Sequence, residues 1–143
     1  MSVTNSTEIE CPECKSRQKV EYWDSINVTT NPELRDKLFQ AKLNRFVCSE
    51  CQYEAFLNVP LLYNDMEKRF CAHFFPRDIL DQQEFYEHFT VEGRHPEENF
   101  PKEALDAVPY LLSPHLVFSM DELLCYVIFR ERLWEKKQGQ GEE

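Results

Sequence analysis

Across residues 18–29, Val20, Tyr22, Ile26 and Val28 fall at every second position, with Asp24 in the same register. This two-residue period, rich in β-branched and aromatic side chains, predicts a strand. Asn31-Pro32-Glu33 then reads as a helix start, with Asn31 as N-cap, Pro32 at the first helical position and an acid in the first turn. Leu34, Leu38 and Ala41, with Phe39 beside them, mark the apolar face of a helix expected to end near Leu43, and Asn44 is expected as the left-handed residue that closes it. Residues 53–59 form the next strand, which Pro60 ends or confines to one-sided pairing. Residues 63–66 are the turn of a hairpin whose return strand covers 68–75.

From residue 71 the pattern loosens. Residues 78–89 are expected as a helix, with Asp78 as N-cap and Ile79, Leu80, Tyr86 and Phe89 on its buried side. Residues 91–114 carry Pro96, Pro101, Pro109 and Pro114 and are expected as loop, broken by a helical turn at 102–107. Residues 115–118 are a short strand. Ser119 and Glu122 then form a capping box that opens a helix to about Lys136. That helix is apolar on every side over residues 123–129, so it either crosses the core or turns one stripe to a partner. The core reading is favoured, and Leu123, Val127, Phe129 and Trp134 are the candidates for partner contact. Residues 138–143, polar and glycine-containing, are expected to be disordered.

The fold class is therefore α+β: a small antiparallel sheet, one inserted helix and a C-terminal helical extension. A single domain is expected over residues 1–143, with a sheet half at 9–76 and a helical and loop half at 77–137. The 143 residues are 42% hydrophobic and include 11 Phe, enough for a packed core, which excludes disorder for most of the chain. The longest apolar run, residues 123–129, is far shorter than the roughly 18–20 residues of a membrane span. The first ten residues carry no basic start followed by an apolar stretch, so a reducing, cytoplasmic setting is expected.

Six cysteines give the chain its chemistry. Cys11-Pro12-Glu13-Cys14 and Cys48-Ser49-Glu50-Cys51 are two C-x-x-C pairs. In a reducing compartment such pairs point to metal rather than disulfide. Two intervening residues let a tight turn aim both thiolates at one ion, and two such knuckles complete the tetrahedral four-sulfur shell that suits a structural zinc. A thiol redox pair and a four-sulfur iron site are the other readings. Residues 15–47 separate the pairs, more than the roughly 15–20 residues of a compact zinc ribbon, so a folded insert must lie between them. The position after each pair favours positive φ and hence Gly, but Lys15 and Gln52 stand there. Cys71 and Cys125, each within an apolar run, are expected as core filler. The alternative, Cys71 with His73 as extra ligands, lacks a second cluster to join.

Together these residues resemble the CpXC family, a bacterial and archaeal group named for its first cysteine pair and largely without assigned function. The resemblance runs through Cys11-Pro12-x-Cys14, Ser25-Ile26-Asn27-Val28, Asn31-Pro32-Glu33-Leu34, Asn44, Cys48-x-x-Cys51 and Pro60-Leu61-Leu62-Tyr63-Asn64-Asp65. It covers residues 9–76, with the remainder as an expected extension. It implies a prokaryotic zinc-binding domain and lends no catalytic residues.

Outside the cysteines, no P-loop, G-x-G-x-x-G, G-x-S-x-G or H-E-x-x-H motif is present. His73, His88, His95 and His115 are dispersed, Asp65 is explained by turn chemistry, and Asp24 is expected as a solvated strand acid. The 16 Lys+Arg and 26 Asp+Glu give a net charge of −10, of which residues 1–70 carry −2 and residues 71–143 carry −8. Acidity disfavours nucleic acid. Even so, Lys15, Arg17, Lys19, Lys37 and Lys42, with Trp23 available to stack on bases, form a modestly basic insert that could serve a nucleic-acid-binding ribbon. The favoured expectation is a non-catalytic module stabilised by one zinc on Cys11, Cys14, Cys48 and Cys51, acting as an adaptor or accessory subunit with a protein partner. A homo-oligomer stays open.

Overall fold

The computed structural model describes residues 2–139. It is α+β, built on a five-stranded sheet and a separate two-stranded hairpin. The first strand, β1 (Val3–Glu10), is absent from the sequence expectation, because its run of polar residues shows no buried face. It pairs antiparallel with β2 (Arg17–Asn27), the strand expected at 18–29. Helix α1 (Glu33–Phe39) follows, then the hairpin β3 (Arg45–Val47) and β4 (Glu54–Phe56). The chain returns as β5 (Leu61–Asp65) and β6 (Phe70–Phe74). Strand β6 is the return strand expected at 68–75, but the turn lies at 66–69 rather than 63–66, because residues 63–65 extend β5. The strand expected at 53–59 pairs with β3 instead.

The sheet order is β1-β2-β5-β6-β7, with β7 (His115–Val117) at one edge. It departs from the antiparallel expectation at two joints: β2 runs parallel to β5, and β6 parallel to β7. Both follow from connection length, since an insert as long as α1 plus β3-β4 can carry the chain back to start a parallel neighbour. Only Ser25–Asn27 of β2 pair with β5. The earlier part of β2 pairs with β1 in an arm that leads to the cysteines.

Helix α1 ends earlier than expected. Ala41 takes the left-handed turn (φ 61°), with Ala41 N–H bonded to Leu38 O and Lys42 N–H to Lys37 O, the paired bonds of a Schellman ending. The helix also starts one residue later than expected, with Pro32 rather than Asn31 at the N-cap. Asn31 O accepts from Leu34 N–H, while its side chain accepts from the Ser2 hydroxyl. Asn44 is left-handed too (φ 51°), but for another purpose: its side chain accepts from Trp23 N–H at 2.7 Å and donates to Trp23 O at 3.0 Å, tying the insert to β2.

The expected helix at 78–89 is broken into a 3-10 turn (Arg77–Asp81) and α2 (Gln83–Tyr86), because Gln82 is extended. The break turns Phe85 inward and leaves Leu80 and Tyr86 exposed. Helix α3 (Lys102–Ala107) is the expected turn in the proline-rich loop. Ser119 Oγ accepts from Glu122 N–H, and Glu122 Oε1 accepts from Phe118 N–H, opening α4 (Met120–Gly139). Helix α4 includes residues 138 and 139, against the expected disorder there, and residues 140–143 lie outside the described residues. No helix among the described residues is long and apolar enough to cross a membrane.

Two cores result. The larger gathers Ile26, Leu34, Leu38, Leu61, Tyr63, Phe74, Leu123 and Val127 between sheet and helices. The smaller packs Cys11, Phe46, Cys48 and Leu57 around the cysteine tips.

Candidate metal centre

Each cysteine pair forms the tip of a hairpin, one between β1 and β2 and the other between β3 and β4. The two tips have the same hydrogen-bond pattern. Lys15 N–H bonds to Cys11 O and Cys11 N–H to Ser16 O, while Gln52 N–H bonds to Cys48 O and Cys48 N–H to Tyr53 O. Lys15 and Gln52 are both left-handed, as the turn demands, although neither is Gly. The long insert is thereby explained: it holds all of β2, α1 and β3, which bring the second tip back onto the first.

The four sulfurs lie within 4.8 Å of one another, with Cys11–Cys51 at 3.6 Å and Cys14–Cys48 at 3.5 Å. A tetrahedral ion with metal–sulfur bonds of about 2.3 Å requires sulfur–sulfur edges of about 3.8 Å. The cluster fits that shell with small adjustments, and four thiolates fill it. Cys11 and Cys48 are buried, Cys14 and Cys51 exposed.

The surrounding groups favour thiolate at the inner edge. The Ser16 hydroxyl lies 3.2 Å from Cys14 Sγ and 3.5 Å from Cys48 Sγ, and Gln18 Nε2 donates to Cys48 Sγ at 3.1 Å. The Ser16 contact, acting against burial, leads in lowering the Cys48 thiol to about 5, with the backbone N–H groups of Cys51 and Glu50 and the Gln18 amide adding to it. Cys14 is lowered as well, again chiefly by Ser16. At Cys51 a backbone contact at Tyr53 pulls down, but desolvation and the neighbouring sulfurs prevail and raise it to about 12. Ser16 and Gln18 were not singled out from the sequence. No strand period links them to Cys14, because Lys15 between is left-handed and β2 begins only at Arg17. The turn, which periodicity does not encode, brings the Ser16 hydroxyl onto the sulfurs. Such outer donors orient metal-bound thiolates.

Other expected site residues are dispersed. Arg17 pairs with Glu8 at 3.1 Å and Glu10 at 3.7 Å, so β1 neutralises part of the basic insert. Trp23 is half-buried against the larger core, and Lys15 reaches back to Pro12 O, while Lys19, Lys37 and Lys42 have no aromatic partner among the described residues. Leu123 and Val127 are fully buried and belong to the core, not to a partner face. Trp134 lies over Lys68 Nζ, and Phe129 is exposed. Cys71 is buried as expected, and burial pushes its thiol up to about 12. Cys125 departs from expectation and is exposed, because two residues along a helix from Leu123 turn it away from the core. His73 is half-buried, stacked on Phe75 at 4.1 Å, and no second metal cluster gathers it with Cys71 among the described residues.

Several motif residues outside the cysteines hold the fold. Asn27 Oδ1 accepts from Thr29 and Thr30 N–H, Asn64 Oδ1 from the Tyr110 hydroxyl, and Asp65 Oδ1 from Lys68 N–H. A family model described as CpXC protein matches residues 9–139, which takes in the acidic half and all of the sheet except most of β1. No curated protein and no solved structure gives a significant match to the chain.

Proposed function

The chain belongs to the CpXC family, and from that membership together with the sulfur cluster we propose a non-catalytic, zinc-stabilised interaction module, an adaptor or accessory subunit in a prokaryotic cytoplasm. The observation that carries this reading is the closed sulfur shell. Four thiolates within 4.8 Å of one another would fill a tetrahedral shell and leave no coordination position for water or substrate, so the ion would staple two hairpin tips rather than perform chemistry. Zinc suits such a site better than redox-active iron when the task is structural. In this reading the partner would dock on the acidic half, a choice supported by the net charge of −8 over residues 71–143, and on the outward side of α4.

The nucleic-acid reading is weaker, because the basic insert is partly paired within the chain and Trp23 is packed. The thiol redox reading needs two sulfurs free of metal.

Metal analysis combined with alkylation tests the proposal. One zinc per chain is expected, with the four thiols protected until a chelator is added, and a stoichiometric protein complex isolated from native extract. A metal-free, reversibly oxidised pair would overturn the structural-zinc reading. Binding to short nucleic acid at moderate salt, with no protein complex, would overturn the adaptor reading.

A further inference from the structure

Helix α4 presents a second pattern on the side opposite Leu123 and Val127. Glu122, Cys125, Phe129, Arg132, Leu133 and Lys136 are all exposed and recur at three- and four-residue steps, the spacing of a helix–helix seam. Phe129 is 56% exposed, and with Cys125, Ile128, Arg132, Leu133 and Lys136 it lines a shallow groove of about 410 Å³.

Apart from Arg132, whose counterpart three residues before Phe129 is the half-buried Tyr126, the seam is symmetric about Phe129. Cys125 and Leu133 lie four residues to either side, Glu122 and Lys136 seven, and Asp121 and Lys137 eight. Acids stand at one end and lysines at the other. We propose that this face binds a second copy of the chain, α4 against α4 in antiparallel fashion, around a two-fold axis through Phe129. In that arrangement Phe129 meets its own mate, Cys125 meets the partner's Leu133, and Glu122 and Asp121 meet the partner's Lys136 and Lys137. Glu122 spends Oε1 on Phe118 N–H and keeps Oε2 for the lysine. A parallel pair would stack acid on acid and lysine on lysine, so charge selects the antiparallel form. The contact is self-complementary, which a heterologous partner would have no reason to match. It deepens the reading of α4 as an interaction surface, on which it rests, and leaves the acidic loop half for any other partner.

The zinc-loaded full chain is examined by sedimentation equilibrium over about 1–100 µM, a range suited to a small interface, with zinc measured on the same sample. A dimer is expected, and Phe129→Asp is expected to weaken it at least about tenfold while retaining zinc and helical content. Orientation is read separately. Leu133→Cys, with Cys125 retained, should form an intermolecular disulfide mapped to Cys125 on mild oxidation. A wild-type chain monomeric at the highest concentration overturns the proposal, as does a dimer indifferent to Phe129→Asp. A cross-link joining position 133 only to itself overturns the antiparallel arrangement. Zinc retained in a monomer leaves the metal-held module standing, so the two failures are distinguishable.

Discussion

Lys15 and Gln52 share one backbone state, φ 68° and 70°, each directly after the second cysteine of its pair. A left-handed conformation costs a residue with a Cβ roughly 1–2 kcal/mol, whereas glycine adopts it freely but loses more entropy on folding. Lys15→Gly and Gln52→Gly should each stabilise the chain by about 0.5–1 kcal/mol. Chemical denaturation of the zinc-loaded protein checks this, and a loss of stability at both positions would show that the side chains contribute more than the strain costs.

Removing the metal should act on the small core first. Cys11 and Cys48 pack with Phe46 and Leu57 while also supplying sulfur, and the side chains around this small core, among them Ile9, Val20 and Tyr53, are only partly buried. Structural zinc contributes on the order of 10–16 kcal/mol in zinc-finger peptides. Chelation, or Cys48→Ser, is expected to abolish protection from hydrogen exchange in β3 and β4 and to lower the melting temperature sharply. The β5-β6 hairpin, held by the larger core, should retain protection longer. Uniform loss across all strands would mean that the two cores fold as one unit.

What the sequence made legible follows from how local each signal is. Both cysteine pairs and the Ser119–Glu122 cap are written within a few residues, and each is found where expected, whereas the turn expected at 63–66 is displaced because residues 63–65 are the end of β5. Strand β1 was hidden because its side chains are largely exposed and its order comes from pairing with β2. The parallel joints depend on the path of a long insert, which periodicity does not encode. At the α1 terminus two residues, Ala41 and Asn44, both accept left-handed backbone. Choosing between them required knowing that the Asn44 side chain is claimed by Trp23. Cys125 and Leu123 belong to one apolar run, and only the helical rotation separates surface from core.

His73 should impart a pH dependence to stability. Burial, with His95 adding to it, lowers its pKa from 6.5 to about 4, so the folded state prefers the neutral ring. Above 6.5 both folded and unfolded chains hold it neutral and nothing is lost. As pH falls from 6.5 towards 4 the unfolded chain gains the proton first, and stability declines by up to about 3 kcal/mol. Metal thiolates also protonate on acidification, so the measurement is the difference between wild type and His73→Gln across that window. The variant is expected to lose less stability than wild type between pH 6.5 and 4. Parallel curves would assign the whole decline to other groups.

A ring of four charges fastens α4 to the rest of the molecule. Arg35 lies 3.3 Å from Asp65 and 3.2 Å from Glu131, and Lys68 lies 3.5 Å from each of the same two acids. Asp65 is fully buried, and the Tyr63 hydroxyl accepts from Arg35 Nε at 3.3 Å. Asp65 was legible as a turn residue because its bond to Lys68 N–H is local, as is its pairing with the Lys68 ammonium, whereas Arg35 and the second acid, Glu131, come into view only when α1 and α4 converge. Asp65→Asn keeps an acceptor for Lys68 N–H and for the Thr29 hydroxyl, so it removes charge with little change of shape. Breaking a buried pair from one side costs about 3–5 kcal/mol, and that loss is expected here in urea denaturation. Glu131→Gln should cost less, because Glu131 is more exposed and Oε2 has no hydrogen-bond donor. Since the ring is shielded, about 0.5 M salt should not reproduce either effect. An Asp65→Asn loss below about 1 kcal/mol would mean that the ring fixes geometry without holding α4 in place.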